Sequence, residues 1–173
     1  LVAFVNEEAP FYGTDEMGSA RHAAGLAREG VEVAGMLSLE TMGWFSDAPG
    51  SQRYPPPLGL FYPEAGDFIG FVGDFRSRAL VRRAVKAFRD TTAFPAEGVA
   101  APRAVPGISW SDHASFWEHG WPALMVPDTA PYRYPHYHRP SDAPEQVDYE
   151  RLARVVAGLA RARSQQADPS FLS

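Results

Sequence analysis

An α/β domain, layered α/β/α around a mostly parallel sheet, is the architecture this sequence predicts. Three observations carry it. Short apolar runs bounded by Gly, Pro or acids alternate with segments whose apolar residues recur at the helical period. The first connection between such runs is long enough for a crossover helix. The 173 residues suffice for one domain with a substantial core.

The elements follow in chain order. Leu1–Val5 reads as a buried strand, closed by Asn6-Glu7-Glu8. Thr14-Asp15-Glu16 offers a cap and first-turn acids to an alanine-rich helix running to about Glu29, where Gly30 ends it. Val31–Leu39 is a second apolar strand finishing at Glu40, parallel to the first through a right-handed crossover. From Gly43 to Asp67 the chain turns to Pro, Gly, Tyr and Phe. Its five aromatics mark it as the wall of a cleft, since disordered segments avoid them. Phe68–Val72 is a third strand. Asp74 then caps a helix with Leu80, Val81, Ala84, Val85 and Phe88 on one face. Residues 94–106 hold another short strand. Ser111 or Asp112 caps a short helix to about His119, and Pro122–Val126 is a further strand. Asp148 caps the last helix, with Leu152, Val155, Val156 and Leu159 on one face and Arg161 and Arg163 in its final turns. Residues 165–173 form a polar, flexible tail, leaving 1–164 as the domain.

Composition narrows the function. A net charge of −5 with no basic stripe argues against a nucleic-acid partner. The absence of cysteine excludes disulfides and thiolate metal sites. No apolar stretch approaches the roughly 20 residues that span a bilayer. Leu1 stands directly in an apolar run, which points to the carboxyl-terminal part of a longer chain.

In layered α/β sheets chemistry collects where strands end in loops at the carboxyl edge. Glu7-Glu8 and Glu40 both follow predicted parallel strands, so three carboxylates share one rim. Consecutive strand residues face opposite ways, so Glu7 and Glu8 share a site only if the backbone turns there. The loop Tyr132 to Asp142, with His136 and His138, emerges at the same rim after the Pro122–Val126 strand. Carboxylates with histidine supply the mixed oxygen and nitrogen donors of hydrolytic zinc sites, often built for two ions.

At these residues the chain resembles the carboxyl-terminal part of a zinc-dependent aminopeptidase of metallopeptidase family twenty-eight. The matching stretches are residues 6–11 (Asn-Glu-Glu-Ala-Pro-Phe), 17–20, 38–45, 111–117 (Ser-Asp-His-Ala-Ser-Phe-Trp), 121–126, 128–130 and 135–142 (Pro-His-Tyr-His-Arg-Pro-Ser-Asp). They stand in family order. The resemblance implies a zinc exopeptidase fold, a peptide substrate and two zinc ions in the intact site. It assigns Glu7 as general base, Glu8 and His138 as ligands of one metal, and Glu40 as ligand of the other. Tyr137 matches a tyrosine that polarises the scissile carbonyl. His136, Asp112 and Asp142 fall to supporting roles. Ala143 departs from the threonine usual after that Asp. The resemblance implies a secreted or periplasmic location, and the sequence leaves a cytoplasmic one open.

The family takes five ligands, and its histidine and bridging Asp precede the Glu-Glu pair; nothing precedes it here except Leu1 to Asn6. The chain alone is therefore expected to be inactive and a poor zinc binder, with an exposed sheet edge open to a homo-oligomer. Two other readings stand beside the peptidase. One is a glutaminyl-cyclase-like acyltransferase on the same scaffold, with one zinc. The other is a non-catalytic binding or dimerisation module of peptidase descent.

Overall fold

The computed structural model describes residues 1–166. Its helices and strands are α1 (Gly18–Arg28), β1 (Met36–Leu39), β2 (Ile69–Gly73), α2 (Arg78–Thr91), β3 (Ala96–Ala100), α3 (His113–Trp117), β4 (Ala123–Val126) and α4 (Tyr149–Gln166). The four strands form one sheet in the order β1-β4-β2-β3. β1 runs parallel to β4 and β2 parallel to β3, while β2 and β4 are antiparallel. The sheet is mixed and mostly parallel, as the sequence predicts.

Alternation along the strands builds the three layers. Phe71, Leu124 and Val126 face α2 and α4, packing with Leu80, Val81, Phe88 and Val155. Val72, Ala123 and Met125 face α1 and α3, packing with Ala23, Phe116, Trp117 and Trp121. Each fully buried large side chain contributes roughly 1.5–3 kcal/mol, so these two clusters hold the domain together. Helix α2 lies so close to the sheet that a Cβ on Gly98 would sit 2.7 Å from Val85. Glycine at that strand position is required by the approach, since real side chains do not tolerate such contact.

Several expectations are corrected. Leu1–Val5 forms no strand: Leu1, Val2 and Val5 are exposed, and no described strand pairs with them. The segment is held by Phe4 packing on His22 and Phe116 and by the Gly18 N–H on Val5 O at 2.8 Å. The predicted parallel crossover from it therefore does not form. The second strand starts at Met36 rather than Val31. Thr14-Asp15-Glu16 makes a turn before the helix, in which Thr14 Oγ1 accepts the Glu16 N–H, and α1 begins only at Gly18. Asp74 caps the turn ahead of α2 by accepting the Ser77 N–H and O–H. Neither Ser111 nor Asp112 caps α3 through its side chain; the Ala114 N–H goes to the Ser111 carbonyl instead. On the apolar face of α4, Val155 is buried while Val156 is half exposed.

Asp148 does cap α4, accepting the Arg151 N–H at 2.9 Å. That helix continues to Gln166, two residues into the expected tail; 167–173 lie outside the described residues. No helix among the described residues is long and apolar enough to cross a membrane.

Candidate metal and catalytic site

Because β1 and β4 are parallel and adjacent, their carboxyl ends share a rim, and Glu40 N–H donates to Val126 O there. The loop leaving β4 returns over that rim and carries Tyr137 and His138. The Glu7-Glu8 pair reaches it from a tight turn in which the Phe11 and Tyr12 N–H groups donate to Glu8 O. That turn is the backbone reversal the adjacent carboxylates require. Asn6 and His138, which flank or carry the site, both adopt positive φ (61° and 54°). Such left-handed geometry in non-glycine residues is sparsely populated and tends to gather at functional sites.

Glu7, Glu8, Glu40, Tyr137 and His138 all line one cavity of ≈ 200 Å³. The sequence reading missed two further walls, Tyr12 and Trp110. Tyr12 follows the Glu pair by a few residues, and Trp110 stands just before the Ser111-Asp112-His113 stretch, so adjacency to those motifs was the available signal. Tyr12 is oriented by its O–H on Ser109 O. The His138 ring stacks on Tyr137 with centroids 4.0 Å apart.

The cavity is electrostatically one-sided. Among the described residues, none of Glu7, Glu8 and Glu40 pairs with a cationic side chain. Burial first, then the charges of Glu40, Glu8 and Asp112, push the Glu7 carboxyl up to about 7. Burial and the same three glutamates also raise Tyr137, which keeps its proton. Asp112 is raised by burial against a hydrogen bond from Ser19, and its Oδ1 is buried with no partner among the described residues.

The outer residues serve the His138 loop rather than the cavity. Asp142 Oδ1 accepts the Tyr134 O–H at 2.6 Å, and His136 Nδ1 meets Ser141 Oγ at 2.8 Å. Asp142 thus acts on the loop through Tyr134. His113 lies in the core, its Nε2 on Ile108 O and its ring edge-on to Trp117.

The donor types suit zinc, and uncompensated carboxylates favour a cation. Yet among the described residues no group of three His, Cys, Asp or Glu side chains converges to hold a metal ion. Glu8, Glu40 and His138 are the residues present that would take part in holding a metal ion.

The sequence model of peptidase family M28 matches residues 1–162. The chain belongs to this family. The M28 chain is similar to "Uncharacterized protein YfbL" of Escherichia coli K12, at 42% identity over 92% of this chain and 49% of that protein. Its fold resembles that of the Legionella pneumophila LapA aminopeptidase, with a TM-score of 0.60 and 18% identity over 84% of this chain and 34% of the other. An aminopeptidase from Aneurinibacillus sp. strain AM-1 gives 0.51 and 23% identity over 87% and 30%. The M28 chain spans about half the length of the curated relative and a third of the solved ones.

Proposed function

We propose that the protein containing this chain hydrolyses the amino-terminal peptide bond of peptides, with Glu7 as the proton-transfer group. One observation carries the proposal: Glu7, Glu8, Glu40, Tyr137 and His138 meet in one cavity, with Glu7 held near neutrality. A general base works best with a pKa near the operating pH. Glu7 takes the proton of an attacking water and returns it to the departing amine. Protonated Tyr137 donates to the developing oxyanion of the carbonyl. Zinc, two ions in the intact site, is the cofactor the family resemblance implies. Glu8 and His138 would serve one ion and Glu40 the other.

Beside the carboxylates lies a narrow apolar cavity of ≈ 90 Å³, floored by Val72, Val99 and Met125 and walled by Tyr54 and Leu58. Glu40, Trp110 and Tyr137 line both spaces. This supports an apolar side chain at the residue removed. The test is hydrolysis of leucine p-nitroanilide by the full-length protein. Glu7→Gln is expected to lower kcat by ~10²–10⁴-fold without loss of folding. Wild-type rates in the Gln variant would refute the role of Glu7, and preference for a charged first residue would refute that of the apolar cavity.

A further inference from the structure

The loop between β4 and the histidines contains two buried charged residues that the proposed chemistry does not use. Asp128 is 2% exposed and Arg133 is 7% exposed. A buried carboxylate is expensive unless it is hydrogen-bonded. Asp128 Oδ2 accepts the N–H groups of Gly43 and Trp44, at 3.0 and 2.8 Å. Its own N–H donates to Thr41 O at 2.6 Å. One residue therefore holds both ends of the 41–44 segment, which begins one residue after Glu40. Thr129, in a left-handed conformation with φ 64°, turns the chain so that this grip is possible.

Arg133 anchors the other end of the same loop. Its guanidinium lies 5.1 and 5.3 Å from the ring centroids of Phe45 and Phe68, and Nη1 donates to Phe68 O at 2.9 Å. Phe45 directly follows the segment that Asp128 holds. From Trp44 the connection passes on by packing: its ring is 6.0 Å from Tyr134, whose O–H donates to Asp142 in the His138 loop. The loop bearing Glu40 and the loop bearing His138 are thus tied together through Asp128.

We propose that Asp128 is a positioning residue that fixes the Glu40 loop relative to the His138 loop. The inference rests on the reading of those two residues as parts of one hydrolytic site. Asp128 is not among the residues that line the cavity of the carboxylates. It acts by setting where Glu40 stands against His138, and supporting groups of this kind commonly carry 10- to 100-fold effects.

The experiment compares Asp128→Ala, Asp128→Asn and the distant core variant Val85→Ala in the full-length protein, all at a temperature where each remains folded. Asparagine keeps an oxygen for the Gly43 and Trp44 N–H groups; alanine does not. The expected result has three parts. Asp128→Ala lowers kcat by at least ~10-fold with KM within ~3-fold. Amide hydrogen exchange accelerates both in 40–45 and in 134–142. Asp128→Asn recovers most of the kcat. If Asp128→Ala keeps the kcat of Val85→Ala and leaves exchange in 134–142 unchanged, the tie does not exist. A wild-type protein inactive on every peptide would instead sink the peptidase reading, while the exchange data still decide whether Asp128 joins the loops.

Discussion

His113 shows how a titratable residue in a suggestive motif ends up structural. Its Nε2 meets a carbonyl, which only accepts, so Nε2 carries a proton. Nδ1 is buried with no partner among the described residues. Burial dominates, with the Ile108 hydrogen bond and Asp74 opposing it, and the folded pKa falls from 6.5 to about 4. The sign follows: below 6.5 the unfolded chain takes up a proton that the folded chain refuses. His113 stabilisation is complete above pH 6.5 and lost as pH falls towards 4, by about 3 kcal/mol in all. Asp128, raised to about 6 mainly by burial, runs the opposite way over part of that range, so the wild-type curve alone is not diagnostic. The difference between wild type and His113→Gln in urea unfolding isolates the term. It is expected to shrink by about 3 kcal/mol between pH 7 and pH 4; a constant difference would mean that His113 titrates normally. At this scale Glu7, Glu8, Glu40 and His138 were legible because type and order match a family. Asp128 and Trp110 were not, because their partners lie 84 and 85 positions away for Asp128, and for Trp110 across the cavity rim.

Among the elements, α2, β2, β4 and α4 were readable because their apolar period is strong and they are buried on one or both sides. Leu1–Val5 is as apolar as β1 yet forms no strand. A strand exists only with a neighbour, and pattern alone does not supply one. The packing of α2 on α4 makes a sharp case. Gly158 lies inside α4, where glycine is unfavourable by roughly 1 kcal/mol relative to alanine. A Cβ there would stand 2.6 Å from Phe88 Cε2 and 2.9 Å from Thr92 Cγ2. Overpacking of this kind costs about 1–3 kcal/mol, which outweighs the propensity gain. Gly158→Ala is therefore expected to lower the melting temperature, whereas Ala at the more open Gly25 of α1 is expected to raise it. If both substitutions stabilise, the helices are not as close as described.

For the whole molecule, the edge of the sheet formed by β1 is the outstanding feature. Among the described residues β1 pairs on one side only, with β4. Leu37 (37% exposed), Leu39 (51%) and Val156 (49%) line an apolar groove of ≈ 530 Å³ between this edge and α4. Unpaired edges with contiguous apolar side chains promote association. The 19.0 kDa chain is expected to show concentration-dependent mass in sedimentation. Leu37→Lys with Leu39→Lys is expected to return it to monomer, since charge on an edge blocks pairing. A monomer at all concentrations would show that the groove is too weak to recruit a second copy.

By itself the sequence determined the layered α/β class, the helices with strong period, the family, and the residue types of the candidate site. Each of these rests on local pattern or on ordered motifs, which survive without knowledge of what touches what. Only the tertiary structure decided that β2 lies antiparallel to β4, that Leu1–Val5 stays out of the sheet, and that the carboxylates and His138 line one cavity. It also decided the tie between two loops through Asp128. Those facts depend on burial and on hydrogen bonds between residues far apart in the chain, and both arise only when the layers close.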